Sequence, residues 1–494
     1  MGKMKTDILF IHPGNHKKTY QGLSEGYTAI STPVWSLLLA GYVRRKGYSV
    51  GIHDTNVEGW GVGIIDKYNP ELIVIMVYGH QPSASTQTMP AAVKILDDIK
   101  ESYNDIPIAI GGNHPSALPK RTMSEVNTDF LVQGEGMYTV EGLVKYVKGE
   151  SSINDIVGLW YRKDGSVQFT SAAPIVKDLD NELSSYAWDL LPGLDNYMAH
   201  NMHCFQDYEN SKSDGFSDIR SPYVALYTSL GCPFDCSFCM INDLFGVREI
   251  RYWSIDTVIK WIDELVNKYN IKNIRFDDEL FVLNPGRVEQ LCDAIIEKGF
   301  DLNIWVYARV NTIKESLLGK MARAGITWIC LGIESGSEGV REDVQKSVKS
   351  DIKDVVRTIQ NYGINILGNF MFGLPEDNME TMQQTLDLAI ELNCEFVNFY
   401  SVMAYPGSRL FEAADKNELP ETWNGFSQYS YDAKPLPTKY LTSKEVLQFR
   451  DDAFGKYFSN EKYLDMVKRK FGNKVHNYIV NMNKIKLKRN LLYN

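Results

Sequence analysis

The sequence predicts an α/β protein made of two successive β/α units and a helical C-terminal region. Short apolar strands alternate with amphipathic helical patterns over residues 1–150, and the same alternation resumes from residue 224. The length of 494 residues is also too great for a single ordinary core. We therefore expect a flavodoxin-like Rossmann domain with a five-stranded parallel sheet, followed by a partial (βα)6 barrel.

Five apolar runs in the first unit have the length and composition of buried strands. They are residues 7–11, 48–53, 71–77, 107–112 and 129–134. Thr32-Pro33 precedes the first helical pattern, Arg44 to Lys46 occupy its last turn, and Gly47 ends it. A sheet with this succession of elements binds its ligand beyond the carboxyl ends of its strands.

Residues 151–220 break the alternation. GLWYRKDGSVQF, residues 158–169, predicts a β-hairpin that turns at its Asp-Gly pair, and the stretch after it predicts a linker with some ordered structure. Six strand–helix units follow, which are too few to close an eight-stranded barrel. The predicted domains are therefore 1–150, 151–220, 221–415 and 416–494, the last of them helical.

The composition argues against several classes of protein. A formal net charge of −10 leaves no excess of basic groups for binding nucleic acid. No stretch reaches the roughly 18 consecutive apolar residues of a membrane helix, and the N-terminus lacks the pattern of a signal peptide. Seven cysteines, three of them adjacent, do not resemble a secreted disulfide framework. We therefore expect a cytoplasmic protein without nucleic-acid or membrane partners.

The segment GCPFDCSFCM places three cysteines within eight positions. Cys232, Cys236 and Cys239 follow directly after the first predicted strand of the second unit, where barrels carry their active sites. Three thiolates are one fewer than a closed zinc or iron–sulfur site takes, so a cluster held here leaves one metal open to a small molecule. The alternative is a structural zinc site completed by Cys204 or His203, although zinc cysteines usually come as C-x2-C pairs.

The motif Cys-x3-Cys-x-Phe-Cys on this loop resembles that of the radical S-adenosylmethionine (SAM) superfamily. The resemblance implies a 4Fe–4S cluster on the three cysteines, with the amino and carboxylate groups of SAM as its fourth ligand. It also implies that Phe238 lies against the adenine of SAM, and that the second unit is a partial radical SAM barrel.

Further matches to this superfamily stand at the ends of the next predicted strands. Asp277-Asp278-Glu279 replaces the usual Gly-Gly-Glu, so the resemblance implies that Asp278 or Glu279 binds the SAM amino group. Carboxylates also suit ribose hydroxyls, and Glu334-Ser335 matches the ribose-binding position. Arg309, at the end of the third strand, would pair with a cofactor carboxylate or support Glu334.

Two glycine-rich turns follow the fourth and fifth strands of the first unit. Glycine allows the backbone to approach a large ligand closely. The segments GGNHPSALP and VQGEGMYT resemble the cobalamin-binding domain of cobalamin-dependent radical SAM enzymes. This resemblance implies that the domain binds cobalamin through Ser83, Gly111, Gly112, His114, Gly134, Glu135 and Gly136.

No motif predicts an axial ligand for cobalt. Cobalamin domains of the methionine-synthase type carry Asp-x-His-x-x-Gly after the first strand, whereas this loop reads HPGNH over residues 12–16. We therefore expect cobalamin to be bound without an axial histidine. Five of the eight histidines nevertheless lie in this domain, at positions 12, 16, 53, 80 and 114.

The resemblance implies a methyltransferase that passes a methyl group from methylcobalamin to an unactivated carbon, or phosphorus. The substrate radical would be made through hydrogen abstraction by a 5′-deoxyadenosyl radical. Within the family, the alternative is cyclisation or rearrangement without methyl transfer. A methylthiotransferase would need three more N-terminal cysteines, but Cys204 is the first cysteine of the chain. A cobalamin sensor without activity would not need the open cluster site.

Two C-terminal segments each allow two interpretations. Residues 422–440 are aromatic and polar, and form either a lid over the barrel mouth or a packed surface loop. Residues 461–494 hold nine Lys and Arg against two acidic residues, and either dock an acidic electron donor or form a solvated helical face. The resemblance implies a small-molecule or peptide substrate and an electron donor of the flavodoxin or ferredoxin type.

Overall fold

The first sheet contains the five predicted parallel strands. The computed structural model describes residues 5–14, 19–24, 26–78, 82–211 and 216–493, except for the side chains of 82–84, 217 and 218. The strands are β1 (Thr6–His12), β2 (Val50–Asp54), β3 (Pro70–Val77), β4 (Ile108–Gly112) and β5 (Phe130–Val132). Their order, β2-β1-β3-β4-β5, confirms the flavodoxin-like prediction and places the switch point between β1 and β3.

A hairpin extends this sheet to seven strands. It consists of β6 (Leu159–Lys163) and β7 (Ser166–Phe169), as the sequence predicts. Asp164 and Gly165 both have positive φ, 50° and 75°, which a type I′ turn requires. Because β6 pairs antiparallel with β5, this part of the predicted linker belongs to the first sheet.

The second sheet is an open, six-stranded parallel half-barrel. Between β8 and β11, the chain forms a short antiparallel pair of strands, β9 (Ser229–Leu230) and β10 (Arg251–Tyr252). The six parallel strands are β8 (Tyr223–Leu226), β11 (Asn273–Phe276), β12 (Asn303–Arg309), β13 (Ile326–Glu334), β14 (Asn365–Phe372) and β15 (Phe396–Ser401). They pair in this order, which confirms the partial (βα)6 barrel.

Helices cover the sheets and fill the C-terminal region. The helix Pro285–Lys298 has a cap at each end, since Asn284 Oδ1 accepts a hydrogen bond from Arg287 N (3.2 Å) and Gly299 ends the helix in the left-handed region. No helix in the described ranges combines the length and apolarity needed to cross a bilayer. The main helices are Val34–Arg45, Pro82–Ser102, Pro119–Glu125, Met137–Val147, Ile255–Tyr269, Pro285–Lys298, Glu315–Arg323, Glu338–Asp343, Ile352–Asn361, Met379–Leu392, Ser443–Phe458, Glu461–Phe471 and Asn473–Lys484.

One continuous apolar core joins the two sheets. It includes Phe10 of β1, Trp35 of the first helix and Tyr227 after β8, each at most 1% exposed. A second core covers the opposite face of the first sheet, with Leu9 and Ile11 at its centre. The strands of the first sheet are therefore apolar along their length because both faces are covered.

Candidate active site

The cysteine loop follows β9 at the carboxyl end of the half-barrel. It begins at Gly231, whose φ is +93° and where a Cβ would lie 2.2 Å from Glu249 O, so only glycine fits. The loop is held on its other side by Ser237, whose backbone N–H donates to Val344 O at 3.1 Å. This closure turns the three cysteines toward the strand ends.

The three thiols fit a shared iron–sulfur cluster. Burial raises the pKa of the Cys232 thiol, with Glu279 and Cys236 adding to the shift, and raises that of Cys239 to about 12, with Cys236 and Cys232 adding to it. Arg309 Nη1 donates to Cys236 Sγ at 3.1 Å and supplies positive charge beside a future thiolate. In the described part of the chain, no three His, Cys, Asp or Glu side chains are close enough to hold one metal ion. The three thiols, with the Arg309 cation beside one of them, suit a cluster that takes thiolate ligands.

The two candidate fourth ligands, Cys204 and His203, lie too far from the cysteine loop for a structural zinc site. Cys204 Sγ lies 3.3 Å from Ile219 O and 3.7 Å from the Oδ1 atom of Asn273, the first residue of β11. His203 lies beside Tyr223, the first residue of β8. Both candidates are therefore at the amino ends of the strands, across the barrel from the cysteine loop.

Two of the three carboxylates after β11 are occupied by protein groups. Asp277 forms a buried ion pair with Arg275, inside the barrel. Asp278 accepts three hydrogen bonds of 2.6 Å, from Thr228 N, Thr228 Oγ1 and Ser229 Oγ. Its side chain therefore fixes the chain that leads into the cysteine loop, and three of its roughly four acceptor sites are already used, which leaves it less suited to an ammonium group than Glu279.

The third carboxylate, Glu279, has a free oxygen. Its Oε2 accepts from Gly231 N at 3.1 Å, while its Oε1 is buried and has no hydrogen-bond partner among the described residues. Burial, reinforced by the neighbouring Asp278 and Asp277, raises the pKa of Glu279 to about 8. A buried acceptor without a partner is costly, and an ammonium donor would satisfy it. Glu279 thus fits the SAM amino group.

Glu334 ends β13 at a bulge, with a φ of +65°. Its Oε1 receives a 2.5 Å ion pair from Lys346, a residue that the sequence did not single out, and both side chains are 8% exposed. The Lys346 ammonium also lies 5.8 Å from the centroid of the Phe238 ring. The structure therefore brings Phe238 and Glu334 together on the cysteine loop's side of the barrel, as predicted.

Ser335 is turned away from the cysteine loop. Its hydroxyl lies 3.2 Å from Thr385 Oγ1 and accepts from Ser337 N at 3.1 Å. These contacts direct it toward the helix Met379–Leu392, and its predicted ribose contact stays a prediction.

The glycines after β4 and β5 are explained first by packing. Gly112 has a φ of +127°, and a Cβ there would lie 2.0 Å from Val77 O in β3. At Gly111 a Cβ would meet Val132 at 3.2 Å, and Gly136 has a φ of +88°. Gly134, with a φ of +79°, meets only Leu244 O, at 3.7 Å. The turns therefore bring the first domain close to the segment after the cysteine loop.

Glu135 joins the two domains. Its Oε1 pairs with Arg251 Nη2 of β10 at 2.5 Å, and its Oε2 accepts from Val176 N at 2.7 Å. Trp35 Nε1 donates to the Glu135 backbone oxygen at 2.9 Å. Both carboxylate oxygens therefore bind protein groups at the contact between the two domains. This differs from the predicted role of the side chain in binding cobalamin.

His114 is a buried residue at the carboxyl end of the first sheet. Its Nδ1 lies 3.2 Å from Thr86 Oγ1, and its Nε2 is buried without a partner among the described residues. Burial lowers its pKa to about 3, so the ring is neutral. An unpaired ring nitrogen at this edge fits a polar ligand such as cobalamin. Ser83 lies in the helix Pro82–Ser102, but its side chain is outside the described residues.

The other N-terminal histidines differ in their surroundings. His53 contacts Glu58 at 3.2 Å and Gly59 O at 2.9 Å, so it is a structural residue. His12 lines a cavity, while positions 16 and 80 lie outside the described residues. Cobalamin binding without an axial histidine stays a prediction.

Two adjoining cavities lead from the junction of the first sheet and the barrel into the barrel lumen. The outer cavity, about 140 Å³, is lined by His12, Tyr78, Tyr227 and the Arg275–Asp277 pair. The inner cavity, about 150 Å³, lies in the barrel lumen. The two share lining residues, which are Tyr20, Thr28, Gln87 and His200.

The two C-terminal segments lie at opposite ends of the barrel. Ser427 Oγ donates to Gln87 Oε1 at 3.3 Å, and Gln428 lines the inner cavity, so residues 422–440 cover that cavity. The basic helices instead contact Glu395, next to the first residue of β15, through Lys470 at 2.7 Å. They are therefore at the amino ends of the strands, remote from the cysteine loop, and electron-donor docking there loses its support.

Comparison with known proteins gives a consistent result. A family model described as "Radical SAM superfamily" matches residues 226–389, and one described as "B12 binding domain" matches residues 26–144. The uncharacterized methyltransferase PH0819 of Pyrococcus horikoshii is 30% identical over 403 residues, which are 81% of each chain. The anaerobic magnesium-protoporphyrin IX monomethyl ester cyclase of Rubrivivax gelatinosus is 24% identical over 92% of this chain and 78% of its own. The solved structure of the cobalamin-dependent SAM radical enzyme OxsB, with aqua-cobalamin and SAM bound, superposes with a TM-score of 0.72 at 17% identity, over 97% of this chain and 71% of its own.

Proposed function

Because the chain belongs to the family of cobalamin-dependent radical SAM enzymes, we propose that it methylates an unactivated carbon, or phosphorus, of a small molecule. Its cofactors are a 4Fe–4S cluster, SAM and cobalamin. The relative from Pyrococcus horikoshii, which matches four fifths of the chain, is named a methyltransferase and supports this choice.

The residues at the strand ends have separable tasks in this proposal. When bound, the cluster and SAM supply the one-electron chemistry that removes a hydrogen atom from the substrate, and cobalamin supplies the methyl group. The three loop cysteines would hold the cluster, with Arg309 beside Cys236. Glu279 would accept the SAM ammonium, Glu334 would accept ribose hydroxyls, and Phe238 would lie against the adenine.

One observation carries the proposal, namely that the carboxyl ends of the two sheets face each other. Tyr78 follows β3 of the first sheet, Tyr227 follows β8 of the barrel, and their hydroxyls are 3.5 Å apart. Tyr78 is itself stacked on Trp35 with ring centroids 4.5 Å apart. A methyl donor bound at the first sheet and a group that abstracts a hydrogen atom, bound at the barrel, can therefore both reach one substrate between them.

Anaerobic turnover with SAM labelled in its methyl group tests the proposal. One SAM should end as S-adenosylhomocysteine and a second as 5′-deoxyadenosine and methionine, so the two by-products should accumulate in equal amounts while the product gains the label. Replacing Cys232, Cys236 and Cys239 by Ala should remove the iron, roughly four atoms per chain, and all 5′-deoxyadenosine. Cys292→Ala, in a buried helix position, is the matched control and should retain both.

The second candidate function is cyclisation or rearrangement without methyl transfer. The cyclase of Rubrivivax gelatinosus matches 92% of the chain and favours it. The same turnover separates the two, because 5′-deoxyadenosine without any S-adenosylhomocysteine would contradict methyl transfer and leave the cyclase.

We also propose that a flavodoxin- or ferredoxin-type donor reduces the cluster at the cysteine loop, in the cytoplasm. Two half-exposed arginines flank the loop: Arg248 lies 2.9 Å and Arg409 3.5 Å from the carboxylate of Asp235. Positive charge at the rim steers an acidic protein toward its docking site. Reduction by flavodoxin should therefore slow when both arginines are changed to Gln, and should lose much of its dependence on salt.

A further inference from the structure

We propose that the inner cavity binds an uncharged aromatic ring of the substrate, an inference that rests on the proposed function and deepens it. The cavity lies in the lumen of the half-barrel and has a volume of about 150 Å³. An engineered protein cavity of about that volume holds benzene. One ring is therefore the group that fits.

The depth of the cavity suits a reacting group. Tyr307, in its wall, stands two residues before Arg309 on β12, so both side chains leave the same face of the strand. At about 3.3 Å per residue, Tyr307 lies about 7 Å deeper in the barrel than the arginine that touches Cys236. A ring in the inner cavity is thus one layer of side chains below the cysteine loop.

The walls are aromatic on three sides. Trp305 and Tyr307 come from β12, Tyr400 from β15, and Tyr429 from the C-terminal segment. The Trp305 and Tyr307 rings have centroids 5.5 Å apart at an interplanar angle of 36°. Flat aromatic walls favour a flat aromatic ligand, since offset-stacked and edge-to-face ring pairs add to the free energy of burial.

Three polar groups in the wall of the cavity are half-buried. The hydroxyls of Tyr307 and Tyr400 make no hydrogen bond to a described residue, and neither does Asn398 Oδ1. Burial raises the pKa of both phenols well above their usual value, so they are neutral donors. These half-buried groups line the cavity without a hydrogen bond to a described residue, so they can bind a ligand that supplies both a donor and an acceptor.

The orientation of Asn398 is fixed by its neighbours. Its Nδ2 donates to Asn369 Oδ1 at 3.1 Å, and Asn369 Nδ2 donates to Cys330 Sγ at 3.1 Å. This row of side chains crosses three adjacent strands and leaves the Asn398 oxygen as the free end. The cavity therefore suits a ligand that carries an N–H or O–H donor at one edge of the ring.

The charge of the lining disfavours an ionic ring. None of the described residues that line the inner cavity is Asp or Glu. Its one charged side chain among them, Arg450, already donates to Phe399 O at 2.8 Å and to Asp451 Oδ1 at 2.9 Å. A cationic ring would therefore lack a counter-ion on leaving water, and an anionic ring would have to compete with Asp451 for Arg450.

Binding of three matched probes to the full-length, cluster-loaded chain tests the inference by calorimetry. Phenol should bind with a Kd of about 1 mM or tighter, cyclohexanol at least about 5-fold more weakly, and benzoate not measurably. Tyr307→Phe and Tyr400→Phe should each weaken phenol binding by about 5-fold. Tyr362→Phe, at an exposed position, is the matched control and should leave the Kd unchanged.

Equal binding of phenol and cyclohexanol, stronger binding of benzoate, or no effect of the two cavity variants would overturn the inference. Failure of the proposed function is distinguishable from this result. Phenol binding that follows the expected order, in an enzyme that makes no S-adenosylhomocysteine, would leave the aromatic site intact and remove methyl transfer. Methylation of an aliphatic or charged substrate would instead support methyl transfer and remove the aromatic site.

Discussion

Glu279→Gln tests the electrostatics of the site through protein stability. Burial, with Asp278 and Asp277 close by, raises the pKa of Glu279 to about 8 in the folded chain. In the unfolded chain the pKa of a Glu is about 4.3. The folded protein therefore keeps a proton that the unfolded chain has lost, so this group's favourable contribution is complete below about pH 4.3 and is lost as the pH rises through about 8.

The size of the effect follows from the two pKa values. At pH 7.5 the shift destabilises the folded apoprotein by about 4 kcal/mol, and at pH 5 by only about 1 kcal/mol. Glutamine has the shape of the protonated side chain and can still accept the bond from Gly231, but it does not titrate. The Glu279→Gln apoprotein should therefore be more stable than the parent at pH 7.5 and nearly equal to it at pH 5.

Urea unfolding of both apoproteins between pH 5 and 8 measures this difference, and Glu421→Gln, at an exposed position, is the control. Infrared difference spectra should show a protonated carboxyl at pH 7 that disappears above pH 8 and is absent from Glu279→Gln. Parallel pH profiles for the parent and the variant, or a missing carboxyl band, would refute the reasoning. The variant should also bind SAM more weakly, because a neutral amide replaces the acceptor for its ammonium.

Two further predictions concern buried ion pairs. Arg251→Met leaves Glu135 buried without its cation and should lower the free energy of unfolding by about 3–5 kcal/mol. In urea unfolding, the double variant with Glu135→Met should recover most of this loss. Equal instability of the single and double variants would contradict the pairing. Lys346→Met likewise leaves the Glu334 carboxylate buried without its cation and should destabilise the apoprotein by about 3 kcal/mol. An unchanged unfolding midpoint would show that the ion pair contributes nothing to stability.

The strands and the cysteine loop could be predicted because their signals are local. An apolar run between turn residues predicts a strand wherever it stands, and the spacing of Cys232, Cys236 and Cys239 needs no knowledge of distant residues. The hairpin was predicted for the same reason. Its pairing with β5 was not, because edge pairing depends on which strand is left uncovered.

The roles of the charged residues could not be read in the same way. Asp277, Asp278 and Glu279 are adjacent in sequence and chemically alike, and only their partners in the fold separate the one with a free oxygen from the other two. Glu135 meets an arginine 116 residues away, and Glu334 meets a lysine that no motif marks. Such contacts depend on the packing of whole domains.

The inner cavity acquires its walls late during synthesis on the ribosome. Its aromatic lining includes Tyr429, and the neighbouring Gln428 and Ser430 are tied through their backbone oxygens to Arg489, at 3.0 Å each. Domains generally fold in the order in which they emerge, at about 5–20 residues per second. Because the residues that close the lumen are synthesised last, a chain that folds in this order encloses the inner cavity only after the cysteine loop and the first sheet have emerged.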